Sequence, residues 1–163
     1  MIQLELAQLG HAASLATLHL SAGQLEFTAR PELVLAQTQD DPQRLPVVIV
    51  DGAEVVGFFA LSAGPHCDKY LSEPDPQAVA LSALSVDSRQ QGRGVGTAAM
   101  LALPAFLARP DVAATFPQAR RVVLVVNGRN PAARRVYERA AFGVIGEREG
   151  PIGRQWVMAK SIW

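Results

Sequence analysis

The stretch "VDSRQQGRGVGTAAM", Val86 to Met100, sets glycine at 92, 94 and 96, between an apolar run and an alanine-rich run. The apolar run reads as the end of a strand and the alanine-rich run as the start of a helix. Each glycine costs roughly 0.5–1 kcal/mol against alanine in ordered structure, so three of them at alternate positions require a reason. Successive glycines let the chain turn tightly and gather backbone N–H groups in one concavity that no Cβ obstructs. Unpaired N–H groups at a helix start favour the oxygens of an anion, and a pyrophosphate fits best. Arg89 and Arg93 add positive charge nearby, and the Thr97 hydroxyl stands ready to donate or to support the first turn. Two common phosphate loops are excluded by spacing. A Walker loop needs Lys followed by Ser or Thr, which Val95-Gly96-Thr97 lacks, and a dinucleotide fingerprint needs Gly or Ala where Thr97 stands.

Outward from this loop the chain mixes strands and helices without an internal repeat. Ile2 to Leu6 alternates as a short strand, and Ala7 to Leu20 carries apolar residues at helical spacing. A second helical stretch, Gly23 to Gln37, contains Pro31, which interrupts it or begins a new helix. Val47 to Val50 and Val55 to Leu61, joined around Asp51-Gly52, read as a hairpin. "PHCDKYLSEPDPQ" holds three prolines and reads as a surface loop. Ala78 to Val86 is expected as a strand and Gly94 to Leu107 as a helix that Pro104 kinks or ends. Strands over Arg120 to Val126, Val144 to Glu149 and Gln155 to Lys160, and a helix over Pro131 to Ala140, complete the reading.

Composition narrows the function. A chain of 163 residues that is 49% hydrophobic suits one domain with its own core. Lys and Arg number 15, and so do Asp and Glu, so the net charge does not point to nucleic acid or an anionic membrane. A small molecule is the expected partner. Cys67 is the only cysteine, which excludes an internal disulfide and agrees with a cytoplasmic location. The first twenty residues lack the pattern of a signal peptide, and no window reaches the apolar length of a membrane span. His11 and His19 have no third ligand in view, so no metal is expected.

Gln91-Gly92-Arg93-Gly94-Val95-Gly96 resembles the pyrophosphate loop of the GNAT family, the acetyl-CoA-dependent N-acetyltransferases: Gln or Arg, two residues, Gly, one residue, then Gly or Ala. "LSALSVDSRQQGRGVGTAAM" resembles the family's fourth strand running into its third helix. "NGRNPAARRVYERAAF" resembles the segment after the fifth strand, with Asn130, Tyr137 and Phe142 in register. The resemblance is strong over Ala78 to Phe142 and only topological over the first 45 residues. It implies an α/β (α+β) fold in one domain over residues 1–163. The central sheet is mixed and mostly antiparallel, of about seven strands with strands four and five splayed, flanked by about four helices.

The resemblance also implies roles. Leu84, Ser85 and Val86 offer backbone groups to the pantetheine arm of acetyl-CoA, and Gln91, Gly92, Arg93, Gly94, Val95, Gly96 and Thr97 hold its pyrophosphate. Asn130 bonds the pantetheine or positions the covering helix, and Tyr137 reaches the sulfur. A thioester is already activated, so positioning a neutral amine against it supplies much of the acceleration. The Val86 N–H is the candidate oxyanion donor and Tyr137 the candidate acid for the departing thiolate. Two departures stand out: Ala141 occupies the position before Phe142 where the family keeps glycine, and Pro104 interrupts the third helix.

The fourth strand lacks the glutamate that some members use as a base. His66, Tyr70, Glu73 and Asp75 in the loop, and Glu26 and Glu32 upstream, are the candidates to face the acceptor, although each alone also fits a solvated surface group. Cys67 beside His66 reads as structural rather than nucleophilic. The expected acceptor is a small amine or polyamine. The alternatives are a protein N-terminal or lysine acetyltransferase, or a non-catalytic acetyl-CoA-binding sensor. Tyr137 as a core aromatic and Asn130 as a helix cap are compatible with either. The exposed closing strands offer a surface for a homodimer.

Overall fold

Continuous runs of β-branched and aromatic residues dictate a sheet covered on both faces. The computed structural model describes residues 1–162; Trp163, the last residue of the expected domain, lies outside the described residues. The strands are β1 (Ile2–Leu6), β2 (Arg44–Asp51), β3 (Glu54–Ser62), β4 (Ala78–Val86), β5 (Arg121–Asn127), β6 (Gly143–Gly150) and β7 (Gly153–Ser161). They form one seven-stranded sheet in the order β1-β2-β3-β4-β5-β7-β6. Neighbours are antiparallel except β4 and β5, which run parallel. The expected mixed, mostly antiparallel sheet is what the chain forms.

Alternation along the strands divides the core. Val47, Ile49, Phe59, Leu61, Val79, Leu81, Val122 and Leu124 face one side. They are covered by α5 (Val95–Leu101), α6 (Leu103–Leu107), α7 (Pro110–Ala113) and α8 (Pro131–Arg139). On the other side Val48, Val50, Phe58 and Ala60 meet Leu15 and Leu18, and Val34 and Leu35. These come from α1 (Ala12–Ala16) with the residues after it, and from α3 (Pro31–Thr38). On that same side Ala78, Ala80, Val123 and Val157 meet Cys67 from α4 (Pro65–Asp68). The short α2 (Ala22–Phe27) lies at the sheet's end beside β4.

Several helices are shorter than periodicity alone predicts. The helix expected over Ala7 to Leu20 is a 3₁₀ turn, Leu9–His11, followed by the five-residue α1. It stops where the Thr17 hydroxyl donates back to the Ser14 carbonyl (2.8 Å) and Leu18 turns into the core. Pro31 begins a new helix, because its fixed φ suits the first helical position and Arg30 before it is extended. The Gly94–Leu107 helix breaks at Ala102, since Pro104 has no N–H for the Met100 carbonyl. "PHCDKYLSEPDPQ" is not simply a surface loop. Gly64 turns the chain at φ +66°, Pro65 starts α4, and Cys67 is fully buried.

The end of α8 shows how Ala141 accommodates the departure noted in the sequence. It takes φ +71°, the left-handed conformation that glycine normally supplies. The Phe142 N–H donates to the Tyr137 carbonyl (3.0 Å) and the Ala141 N–H to the Glu138 carbonyl (3.1 Å). This is the Schellman pattern, and its apolar contact is Phe142 edge-on to Tyr137 at 5.8 Å. The helix end therefore fixes the Tyr137 ring. Ala141→Gly should relieve the left-handed strain and raise stability by about 0.5–1 kcal/mol, a melting midpoint about 1–4 °C higher in a thermal scan.

Candidate functional site

β4 and β5 pair only at Ala78↔Arg121, Val79↔Val122 and Ala80↔Val123. From Leu81 onward β4 turns its β5-facing edge to an open fork. The bend has a local cause. Phe58 pairs with Ser85 and Ala60 with Ser82, so Ala83 and Leu84 together oppose Phe59, a bulge in which Ala83 takes φ +59°. Its far side brings β3 very close: a Cβ on Gly57 would lie 2.6 Å from the Ser85 carbonyl oxygen. Leu84, Ser85 and Val86 thus lie on the fork's open limb, with Leu84 and Val86 half-buried and Ser85 buried.

The glycine loop follows directly. Gly92 and Gly94 take φ +80° and +77° with open space where a Cβ would stand, and Gly94 caps α5 without a side-chain bond. The first N–H groups of α5, from Val95, Gly96 and Thr97, therefore have no helical acceptor. Gly96 serves packing instead: a Cβ there would sit 3.2 Å from Val136 Cγ1 on α8. Arg93 donates to Gln90 Oε1 (3.0 Å) and is exposed. Gln91 is exposed beside it.

Arg89 does not add free positive charge to this loop, because Asp87 holds it. Asp87, 2% exposed, accepts from Arg89 Nε (3.0 Å) and Nη2 (2.9 Å), from the Arg89 N–H (2.9 Å) and from the His19 N–H (3.1 Å). The Ser88 N–H returns a bond to the His19 carbonyl (2.7 Å). These bonds, that from the Arg89 side chain above all, hold the Asp87 carboxyl well below the usual carboxylate range. Asp87 therefore clasps the segment before α2 to the end of β4.

A second tie runs alongside. Ser21 and Gln24 form a capping box at the start of α2, and Gln24 Nε2 then donates to the Val86 carbonyl (2.7 Å). At the other end of α2, Arg129 from the loop after β5 pairs with Glu26 (3.1 Å) and stacks on Phe27 (5.7 Å). Arg129 also donates to the Ile152 carbonyl (3.4 Å) in the β6–β7 turn. Three segments thus meet beside the open fork.

Tyr137 lies in the core between the sheet and α5–α8, 6% exposed, and burial raises its hydroxyl pKa beyond the usual phenol range. Among the described residues its hydroxyl has no hydrogen-bond partner. Asn130 caps α8, its Oδ1 accepting from the Ala133 N–H (3.3 Å).

The candidate bases separate. His66 bonds Asp41 (2.9 Å) and Asp75 bonds Arg121 (2.9 Å), while Glu73 is exposed. Glu26 is paired with Arg129, and Glu32 accepts from Arg30 (2.6 Å) while its Oε2 is buried without a partner. Tyr70 is half-buried, and its hydroxyl has no hydrogen-bond partner among the described residues. Cys67 is buried, and burial pushes its thiol up to about 11, so it stays protonated and unreactive. Among the described residues no group of three His, Cys, Asp or Glu side chains is arranged to hold a metal, and no helix is long and apolar enough to cross a membrane.

Sequence reasoning missed Asp87, Gln24 and the Ala83 bulge. Ser21-x-x-Gln24 is a legible capping signal, whereas alanine announces no positive φ. Asp87→Asn should cost about 2 kcal/mol by weakening buried acceptors. Because the folded state depresses the Asp87 pKa, its contribution is full above about pH 4 and lost as pH falls. Urea melts between pH 3 and 7 should therefore show a smaller acid-side loss of stability in the variant than in the parent.

The family model described as "Acetyltransferase (GNAT) family" matches residues 13–142. The chain is 35% identical over 149 residues to the uncharacterized N-acetyltransferase YbbJ of Bacillus subtilis (strain 168), covering 91% of this chain and 89% of that protein. It is 27% identical over 135 residues to a spermine/spermidine N(1)-acetyltransferase of the same organism, covering 83% of each. Its fold is similar to that of the aminoglycoside acetyltransferase AAC(6')-Ib, solved in complex with coenzyme A and kanamycin. That likeness has a TM-score of 0.77 at 23% identity and covers 99% of this chain and 95% of that one. With the family's matched span running from α1 through the fork and the glycine loop to Phe142, the chain belongs to the GNAT family of N-acetyltransferases.

Proposed function

We propose that this enzyme moves the acetyl group of acetyl-CoA to a primary amine of a small molecule, by direct attack in a ternary complex and within the single domain of residues 1–163. The observation that carries the reading is the fork: an open strand edge inside the sheet that leads, within five residues of Val86, into a left-handed glycine loop. An extended pantetheine arm can lie along Leu84, Ser85 and Val86 as a strand would, meeting the backbone groups that face away from β3, whereas the Ser85 carbonyl points at Gly57. The pyrophosphate then meets the N–H groups from Gln91 to Thr97. With its Oδ1 already capping α8, Asn130 fits the positioning role better than direct contact, although its amide nitrogen stays available.

The reaction needs few side chains. The neutral amine nitrogen attacks the thioester carbonyl carbon, and the carbonyl oxygen takes the negative charge, held by the Val86 N–H. Gln24 bonds the carbonyl of the same residue, in the following peptide unit, and so anchors the chain directly after the donor. The intermediate collapses with cleavage of the carbon–sulfur bond, the thiolate takes the Tyr137 proton, and the nitrogen loses a proton to solvent. Burial keeps Tyr137 protonated, as an acid must be before it acts.

Of the acids that were candidates to face the acceptor, Asp75 is engaged with Arg121, Glu26 with Arg129 and Glu32 with Arg30. A small amine therefore suits the cleft better than a long polycation, although a 27% identical relative is a spermine/spermidine acetyltransferase. β6 is an edge strand with Val144 and Ile145 exposed, where a second copy would pair.

Thiol release from acetyl-CoA against a panel of amines tests the reading. Tyr137→Phe should lower kcat about 100-fold while coenzyme affinity in calorimetry changes less than about twofold. Gly94→Val should do the reverse, weakening coenzyme binding at least about tenfold by forbidding φ +77°. Coenzyme binding without amine-dependent release would favour a sensor.

A further inference from the structure

We infer that the acetyl acceptor carries an acidic oxygen group, carboxylate or phosphate, near its amine, and that Arg148 beside Tyr70 receives it. The inference rests on the acetyl-CoA reading above and names the substrate class of the same site.

Tyr70 packs against the cluster of Ala80, Val123 and Val157. Ala80 and Val123 form the last rung before β4 and β5 part, so Tyr70 stands over the apex of the fork. It does so from the face opposite α8 and Tyr137, since Val123 and Ala80 point away from the side on which Val122, Leu124 and Leu81 meet Tyr137. An acetyl group at the apex would have Tyr137 below it and Tyr70 above, and the acceptor must approach from the side that the coenzyme and α8 do not occupy.

The charge around Tyr70 is cationic. The Arg148 guanidinium lies 5.6 Å from the Tyr70 ring centre, and the Lys69 ammonium 5.3 Å. The charge of Arg44 also reaches Tyr70, while its Nε donates to Ser62 Oγ (3.1 Å). Arg148 is half-buried, and among the described residues its guanidinium makes one hydrogen bond, from Nη1 to the neutral Gln155 Oε1 (2.7 Å). Among the described residues it forms no ion pair, whereas Arg30, Arg89, Arg109, Arg121, Arg129, Arg134 and Arg154 each have a carboxylate partner. Of the nearby acids, Asp41 pairs with His66 and Asp75 with Arg121, while Asp68, two residues before Tyr70, forms no ion pair among the described residues and offsets one of these cations. A half-buried guanidinium is costly without an anion, and its planar donors match the two oxygens of a carboxylate or phosphate. Three cations around one ring would repel a polyamine and attract a small amine that also bears an acid.

The test uses the full chain with acetyl-CoA, following thiol release. The panel comprises α-amino acids, phosphoethanolamine, the carboxamides and decarboxylated amines matched to the amino acids, and spermidine. We expect kcat/KM for an acid-bearing amine to exceed that of its matched neutral or cationic partner at least about tenfold. Arg148→Gln should collapse this ratio toward one, about 10- to 100-fold and mainly through KM, and Arg148→Lys should restore part of it. Unchanged coenzyme affinity in both variants marks them as folded. The amino acids and phosphoethanolamine distinguish carboxylate from phosphate. Equal use of the matched partners, a preference for spermidine, an unaltered ratio in Arg148→Gln, or no turnover of any acid-bearing amine while coenzyme A binds would each overturn the inference. Failure to bind coenzyme A would instead overturn the reading beneath it.

Discussion

The parting of β4 from β5 governs this molecule. A sheet normally satisfies every interior backbone group by pairing, and here the ladder stops after three rungs in the middle of the fold. Both limbs are held apart by elements that have no freedom to close. On one side the Ala83 bulge bends β4 toward β3, and Gly57 gives it room. On the other, β5 is locked to β7 along seven residue pairs, from Arg121↔Ser161 to Asn127↔Gln155. Closing the fork would require breaking one of these ladders. An extended ligand that supplies its own amide donors and acceptors satisfies the open edge at far lower cost.

The ties at the end of β4 convert that opening into a site. Asp87 holds His19, in the segment between α1 and α2, and Gln24 ties α2 itself to the last residue of β4, so the elements beside the fork share one anchor. The Arg89–Asp87 pair is partly solvated at the arginine, and its worth comes from the backbone N–H groups that Asp87 also satisfies. The Schellman end of α8 performs the equivalent task for Tyr137, whose ring is wedged by Phe142. Each position proposed to act is thus set by backbone geometry nearby, in keeping with a reaction that depends on positioning.

Much of this was legible from residue order. The strands appeared at their places because β-branched runs are unambiguous, and β4 matched its expected span, Ala78–Val86, residue for residue. The glycine loop was legible because two of its glycines are needed for φ, although Gly96 proved to make room for Val136. The helices were overestimated wherever a local hydrogen bond or a proline outweighed periodicity, as at Thr17 and Pro104. What could not be read were features without a residue signature: positive φ at alanines 83 and 141, and the long-range pairings of Asp87 and Arg129. Burial of the "PHCDKYLSEPDPQ" segment was hidden for the same reason, since its polar composition conceals the one face that packs on β4 and β5.

Hydrogen–deuterium exchange with and without coenzyme A tests the central claim most directly, because it reads the backbone amides themselves. The account predicts slowed exchange at Leu84 to Val86 and at Gln91 to Thr97, with β1 and β2 unaffected. Binding of the coenzyme, established by calorimetry, with no slowing along Leu84 to Val86 would contradict it.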